Sequence, residues 1–337
     1  MRSGAWRAGW AAAIVCSSWS VLAAAEATCS DCEEVQAIVY RDGGGVTPIA
    51  ELWRGFDGEW RRAYELARVP LLVDGRLWEI TTRTIGIPWV DCFCVNQAAG
   101  READDPEALC SKKLQVKWPT AVGPLPGQER ALAETPSDCG GEGGAYAPNF
   151  TYHAIFDGLV ALSVRGSSNG CGAHTSEWVK FETSALPSGE RRPLWTAEEG
   201  SAIADAGKSA AVATLMEEIG ERSEDDLTEL RNGAMELNAM TARWRDGRFQ
   251  PEWLLSRSTC YACSNGRWNS YTEAAWVTPD VPLPSPLMPH AALAPALRSL
   301  AALVPDAIGF AMLPAVSLPP ELFAPAARAA KRPTAPR

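Results

Sequence analysis

The residue pattern with the clearest chemical meaning is a G-x-S-x-G sequence formed by Gly166, Ser168 and Gly170. This spacing is typical of a nucleophile elbow, in which a strand turns sharply into a helix and exposes the serine hydroxyl. His290 lies downstream, as a serine hydrolase requires. However, Cys171 and the residues after it lead into an extended segment instead of a helix. The pattern is therefore interpreted as a glycine-rich hairpin loop, and an exported serine hydrolase is kept as an alternative.

Metal and cofactor chemistry finds little support in the sequence. The three histidines, His153, His174 and His290, do not have the spacing of a helical zinc motif. We find neither a phosphate-binding loop nor a dinucleotide-binding glycine fingerprint, so we expect no metal and no cofactor. Carboxylate pairs allow a carboxylate-dependent hydrolase as an alternative, although their clustering indicates exposed helix ends. These acidic residues are Glu217, Glu218, Glu221, Glu224, Asp225 and Asp226.

The cysteines predict disulfide bonds. Of the ten present, Cys16 lies in the N-terminal apolar segment, which leaves nine candidates and at least one without a partner in the chain. Two pairs have C-x-x-C spacing, which is also compatible with zinc or redox chemistry. An Asn265-Gly266 turn signal follows the second pair, so structural disulfides are favoured. The nine candidates are Cys29, Cys32, Cys92, Cys94, Cys110, Cys139, Cys171, Cys260 and Cys263.

The first 25 residues have the layout of a secretory signal peptide. Arg2 and Arg7 precede an apolar segment over residues 11–25, and Ala23 and Ala25 supply the small residues of a cleavage site before Glu26. A membrane anchor is the alternative, but roughly 15 apolar residues fall short of the ~20 that span a bilayer. We therefore expect an exported protein, in the periplasm or the medium, with no membrane span in the mature chain.

The charge balance limits the partners. Removing Arg2 and Arg7 from the 31 basic residues leaves 29 against 41 acidic ones, a formal net charge of −12. Such a surface repels phosphate backbones, so nucleic acid is not an expected partner. A basic protein is compatible with this charge, and the sequence does not define the oligomeric state.

The elements that must position these residues are mostly extended. Turn signals at Asp74-Gly75 and Asp157-Gly158 predict two β-hairpins, over residues 71–85 and 152–164. Further strands are predicted over residues 178–182, 253–255 and 271–277. Apolar spacing predicts helices over four further segments, which are residues 57–67, 212–219, 227–244 and 290–304.

Strands and helices come in blocks, which indicates an α+β fold: a largely antiparallel sheet packed against two or three helices and stabilised by disulfides. The expected organisation is a signal peptide (1–25), an N-terminal α+β region (26–122), a Gly/Pro-rich loop or linker (123–150), an α+β domain (151–318) and a disordered basic tail (319–337).

Within that second domain, one loop resembles a known family. The loop contains Gly170, Cys171, Gly172, Ala173 and His174. It lies between two predicted strands and is followed by a Leu-Pro-Ser-Gly-Glu turn and Leu-Trp. This pattern is similar to the bacterial extracytoplasmic domain of unknown function 3298. That domain forms the outer part of RsiV-type anti-sigma factors, which sense lysozyme. The similarity covers residues 152–312, and it departs from the family where Cys171 interrupts the paired glycines and Ala185 replaces the usual aspartate.

The resemblance implies a fold and an envelope setting without implying signalling. We therefore expect a non-enzymatic exported binding module, whose partner is a peptidoglycan-related envelope component or a basic protein such as lysozyme. The candidate binding residues are Gly172, His174, Trp178 and Trp195. The alternatives are the exported serine-type or carboxylate-dependent hydrolase and a purely structural envelope protein.

Overall fold

The structure is a computed structural model. It describes residues 35–41, 49–54, 60–66, 69–89, 112–135, 148–156, 158–168, 176–218, 224–245, 247–291 and 295–313. The predicted signal peptide, the predicted basic tail and seven of the nine candidate cysteines lie outside these residues. Within these ranges no helix is both long enough and apolar enough to cross a membrane.

The described residues form antiparallel sheets with a few helices, so the predicted α+β class is confirmed. An N-terminal sheet has the strand order β17-β1-β2-β3. Its strands are β1 (Val35–Arg41), β2 (Ile49–Arg54), β3 (Trp60–Leu66) and β17 (Ala307–Leu313). A hairpin sheet has the order β4-β5-β6-β7. Its strands are β4 (Val69–Val73), β5 (Arg76–Trp89), β6 (Lys112–Val122) and β7 (Glu129–Ala131).

A central sheet and a C-terminal sheet complete the strand framework. The central sheet, ordered β11-β10-β9-β8, contains β8 (Asn149–Phe156), β9 (Leu159–Ser168), β10 (Ser176–Ala185) and β11 (Glu190–Arg191). The C-terminal sheet, ordered β12-β15-β16, contains β12 (Glu236–Thr241), β15 (Glu252–Ser258) and β16 (Thr272–Val277). A two-stranded ribbon joins β12 to β15, formed by β13 (Trp244–Arg245) and β14 (Arg248–Phe249).

The described part of the chain contains three helices that pack around the sheets: α1 (Ala197–Glu218), α2 (Glu224–Asn232) and α3 (Pro295–Leu303). Helix α1 buries a stripe of small and aliphatic residues, among them Gly207, Ala211 and Leu215, against the C-terminal sheet. Because small residues let the helix approach closely, Leu255 and Val277 of that sheet reach the helix backbone at Gly207.

Both faces of the central sheet are buried. Because successive side chains of a strand point to opposite faces, one set of residues packs on each side of the sheet. Tyr152, Leu162 and Val164 pack with Leu71 and Trp118 of the hairpin sheet in one hydrophobic cluster. The opposite face packs toward the C-terminal sheet, in clusters that include Leu254 and Trp268 with Val179 and Phe181.

Both predicted hairpins are present. Strands β4 and β5 pair around Asp74 and Gly75, which both have positive φ angles. Strands β8 and β9 pair up to Phe156 and Leu159, and Gly158 in the turn has a φ of 69°. The predicted strands over 178–182, 253–255 and 271–277 lie within β10, β15 and β16.

Two helix predictions are wrong in part or in full. The segment predicted as a helix over residues 57–67 contains strand β3, which pairs with β2 from Trp60 to Leu66 with one register shift at Ala63. Ladder hydrogen bonds to a neighbouring strand override a weak local helical pattern. The helix predicted over 227–244 ends at Asn232, and β12 follows. Asn232 and Gly233 have low helix propensity, and the Gly233 N–H makes the last helical bond, to the Glu229 carbonyl, at 2.7 Å.

Two other predictions are corrected at their boundaries. The last helix begins at Pro295 instead of His290, because proline suits the first position of a helix, and His290 belongs to a separate 3₁₀ turn. The predicted linker over 123–150 contains the short strand β7. Of the candidate cysteines, Cys260 and Cys263 form the disulfide that the described residues contain.

Candidate functional site

A polar face of strands β8 and β9 lines a cleft beside the C-terminal sheet. Residues two apart on a strand share a face, which places Asn149, Thr151 and His153 together on β8, with Ser163 and Arg165 on β9. The register pairs Thr151 with Ser163 and Asn149 with Arg165. Five polar side chains therefore lie side by side on one surface.

A β-bulge at His153 shapes this surface. The β8–β9 register shifts between Tyr152 and Ala154, so His153 is the extra residue. The carbonyl oxygen of His153 turns away from β9 and accepts hydrogen bonds from the Ala242 N–H at 2.8 Å and the Thr241 hydroxyl at 3.1 Å. Bulges commonly re-aim a side chain next to a functional site. Here the bulge also ties the central sheet to the end of β12.

The opposite wall of the cleft comes from the C-terminal sheet and from the loop between β15 and β16. Thr241, Leu254 and Trp276 lie on the strands, and the loop supplies Arg267 and Trp268. The cleft has a volume of about 520 Å³. This volume falls in the range of pockets that hold small ligands, which extends from about 300 to 1,000 Å³.

Hydrogen bonds to the edge of β10 hold the β15–β16 loop in position. Asn269 accepts from the Val179 N–H at 2.6 Å, and the Ser270 hydroxyl accepts from the Glu177 N–H at 2.7 Å. Asn265 exchanges two hydrogen bonds with the backbone of Ala274. Because the residues before and after Arg267 and Trp268 are hydrogen-bonded to strands, these two residues are held in the wall of the cleft.

The lining of the cleft is positively charged although the whole chain has a net charge of −10. Three arginines, Arg165, Arg243 and Arg267, line it with a single carboxylate, Glu252. Glu252 accepts a 2.7 Å hydrogen bond from Arg245 and pairs with Arg243 at 3.4 Å. The formal charge of the lining side chains is therefore +2 with a neutral histidine.

The other two arginines are held at the rim. Arg165 lies 3.6 Å from the Glu177 carboxylate and donates to the Arg267 carbonyl at 3.0 Å. Arg267 forms an ion pair with Glu218 at the end of α1. Both arginine side chains are about 40% exposed, so these carboxylates orient them while leaving part of each side chain accessible to solvent.

His153 and Ser163 form a hydrogen-bonded pair at the floor of the cleft. The Nε2 atom of His153 lies 2.8 Å from the Ser163 hydroxyl, and both residues are more than nine-tenths buried. The imidazole ring lies 5.7 Å from the Phe181 ring and 5.9 Å from the Trp276 ring, measured between centroids. These aromatic neighbours restrict the orientation of the imidazole.

Of the candidate binding residues predicted from the sequence, Trp178 and Trp195 are described, and neither lines this cleft. Trp178 lies across from Gly166 on the opposite face of the central sheet, where any β-carbon at position 166 would overlap its indole ring. Trp195 stacks on Phe181 at 5.5 Å and packs edge-on against Trp253. Gly172 and His174 lie outside the described residues.

Gly166 and Ser168 lie in strand β9, and Ser168 pairs with Ser176 at the start of β10. Gly170 and the rest of the connection between the two strands lie outside the described residues, so the hairpin-loop interpretation stays a prediction from the sequence. His290, the other partner of the elbow hypothesis, stacks on Phe156 with 4.4 Å between ring centroids.

Sequence reasoning missed the arginines and the serine–histidine pair. The alternation of Ser163 and Arg165 on a predicted strand was a usable signal, because it places both on one face. Arg243 and Arg267 carried no such signal, since their positions depend on how β12 and the β15–β16 loop meet the central sheet.

No protein-family model, curated protein or solved structure matches this chain. The resemblance of residues 152–312 to domain of unknown function 3298 therefore stays a prediction from the sequence.

Proposed function

We propose that this protein is an exported envelope protein that binds an anionic envelope component in the arginine-lined cleft. The observation that carries the proposal is the reversal of charge: three arginines and one glutamate line the cleft of a chain whose net charge is −10. Guanidinium groups bind carboxylates and phosphates through pairs of N–H donors, and arginine is therefore common at sites that recognise these anions.

The remaining lining fits a polar ligand of moderate size. Asn149, Thr151 and Thr241 offer amide and hydroxyl groups, and Trp268 and Trp276 contribute apolar surface. A few placed polar groups on an apolar wall are typical of small-molecule sites. A peptidoglycan fragment, which carries carboxylates on a sugar–peptide framework, has this chemistry.

The same charge argues against a basic protein as the occupant of this cleft. Lysozyme would be attracted by the acidic surface of the molecule as a whole, but the cleft lining carries three arginines against one carboxylate and so does not itself attract a cationic surface. We therefore assign the cleft to an acidic envelope fragment in preference to lysozyme.

The test is isothermal titration calorimetry of the full chain with a soluble muropeptide, at low and high salt. We expect binding that weakens as salt is added, because charged groups carry part of the affinity. Arg165→Ala or Arg267→Ala should weaken binding roughly 10- to 100-fold, which corresponds to the loss of one charge-assisted hydrogen bond. Arg83→Ala is the matched control, because Arg83 forms an exposed ion pair with Glu129 on the hairpin sheet.

Two results would overturn the proposal. One is muropeptide affinity that is the same in wild type, Arg165→Ala and Arg267→Ala. The other is the absence of muropeptide binding together with salt-sensitive binding of lysozyme, which would favour the basic-protein alternative.

A further inference from the structure

The serine–histidine pair at the floor of the cleft has the geometry of a nucleophile and its base. We infer that Ser163 and His153 hydrolyse an ester carried by the anionic ligand. This inference rests on the proposed function, because the arginines of the same cleft would hold the acidic group of that ligand. It assigns the hydrolytic role to Ser163 in place of Ser168, the serine of the hydrolase alternative from the sequence.

The contact between the two side chains meets the geometric requirement. The 2.8 Å separation of His153 Nε2 and Ser163 Oγ lies within the 2.6–3.2 Å expected of a nucleophile and its general base. Both side chains line the cleft, so a ligand inside it would meet the hydroxyl directly.

The base is held in place by three separate features. The bulge projects His153 into the cleft, its carbonyl is fixed by the Ala242 N–H and the Thr241 hydroxyl, and its ring lies beside Phe181 and Trp276. A base with one fixed orientation loses little freedom when the substrate binds.

The step balances without a redox partner. In the tautomer that carries its proton on Nδ1, His153 takes the Ser163 hydroxyl proton on Nε2 while Oγ bonds to the ester carbonyl carbon. The bond from that carbon to the alcohol oxygen then breaks, and His153 returns the proton to the leaving alcohol. Water repeats the sequence on the acyl-serine, which releases the acid and restores Ser163.

Arg165 supplies the positive charge that this step requires. It lies two residues after Ser163 on the same face of β9, so its guanidinium group shares the cleft with the hydroxyl. A fixed cation near the carbonyl stabilises the oxyanion that develops during attack. An ester is the substrate class that fits best, because an alcohol leaves more readily than an amine.

The experiment compares two activated esters of similar size, 4-nitrophenyl hemisuccinate, which carries a carboxylate, and neutral 4-nitrophenyl butyrate. The full chain should release 4-nitrophenol in a burst of about one equivalent. Mass spectrometry of the quenched protein should find the acyl group on Ser163. The charged ester should be preferred, and Arg267→Ala should reduce that preference roughly tenfold, whereas Arg165→Ala should slow acylation by both esters.

Single-residue variants distinguish a reaction at Ser163 and His153 from a reaction at another serine. Ser163→Ala should abolish the burst while retaining muropeptide binding, and His153→Gln should slow acylation roughly 100-fold or more. Ser168→Ala should leave acylation unchanged. Mass spectrometry of the wild-type protein does not depend on whether any variant folds. A wild-type chain that is not acylated at Ser163 therefore overturns the inference. If that chain still binds muropeptide, the proposed binding function stands.

Discussion

Glu199 shows how a single side chain joins two segments of this molecule. Its carboxylate accepts a 2.7 Å hydrogen bond from the Thr196 N–H, while the Thr196 hydroxyl accepts from the Glu199 N–H at 3.2 Å. This reciprocal arrangement is a capping box at the start of α1. The same carboxylate accepts from the N–H and the hydroxyl of Ser285, each at 2.9 Å. It therefore links the helix start to the segment after β16.

These hydrogen bonds lower the pKa of Glu199 from 4.5 to about 2, with the Thr196 N–H contributing most and the Ser285 N–H next. The folded state therefore favours the ionised carboxylate. The resulting stabilisation is fully present above the unfolded pKa of 4.5 and is lost as the pH falls through about 2.

We predict that Glu199→Gln lowers the urea midpoint of unfolding at pH 7, and that this deficit shrinks as the pH falls from about 5 to about 2. The measurement is urea unfolding of both proteins across that pH range. Glu198→Gln, in the same helical turn, is the matched control and should have little effect. A Glu199→Gln deficit that grows toward low pH would contradict this assignment.

At the scale of elements, helix α1 depends on a glycine where it crosses the C-terminal sheet. A β-carbon at Gly207 would lie 2.8 Å from Leu255 Cδ1 and 3.0 Å from Val277 Cγ2. Glycine costs a helix up to about 1 kcal/mol relative to alanine, so its presence inside α1 is explained by close packing instead of propensity.

We therefore predict that Gly207→Leu destabilises the protein by about 1–3 kcal/mol, because overpacking a dense core displaces its neighbours. Ala206→Leu, on the exposed side of the same turn, should change stability by no more than about 0.5 kcal/mol. Urea unfolding of the two variants makes the comparison. Equal effects would show that α1 is not packed on the sheet at Gly207.

The Cys260–Cys263 disulfide closes a very short loop in the segment that delivers Arg267 and Trp268 to the cleft. In the chain-entropy model the stabilisation rises with loop length, and a loop of this size gives only about 2 kcal/mol.

Replacing both cysteines by serine should lower the free energy of unfolding by about 2 kcal/mol or less. Muropeptide affinity should change little, because Asn265, Asn269 and Ser270 hold the loop by hydrogen bonds. Urea unfolding and calorimetry provide the two readouts. A large loss of affinity with unchanged stability would mean that the disulfide, and not this network, positions the loop.

At the scale of the whole molecule, the two ends of the described chain meet. Strand β1 pairs with β17 from Gln36 to Arg41, and Gly309 of β17 lies so close to the Ile155 carbonyl of β8 that no side chain would fit there. The hairpin sheet also shares a hydrophobic cluster with the central sheet. The regions predicted as 26–122 and 151–318 are therefore joined by one core.

A fragment covering residues 148–313 should consequently fail to fold cooperatively. It lacks β1, β4, β5 and β6, and it would expose the face of the central sheet that includes Leu162 and Val164. We expect strong binding of the dye ANS and a broad urea transition in place of a cooperative one. A sharp transition with little dye binding would show instead that the predicted domain is independent.

The sequence by itself determined the local features. The hairpins at Asp74-Gly75 and Asp157-Gly158 and the C-terminal part of α1, predicted over 212–219, follow from turn residues and apolar spacing, which act over a few neighbouring residues. The α+β class follows from the order of those elements. The shared face of Ser163 and Arg165 was also implicit in strand alternation.

Tertiary structure decided the remaining features, because these features depend on contacts between residues far apart in the chain. The segment over 57–67 is extended because β3 pairs with β2, and the bulge at His153 appears only when β8 is placed against β9 and β12. The cleft forms where two separate segments, which carry Arg243 and Arg267, lie against one face of the central sheet. Hydrogen-bond registers and sheet packing join positions as far apart as Gln36 and Leu313, and no local pattern in the sequence records that pairing.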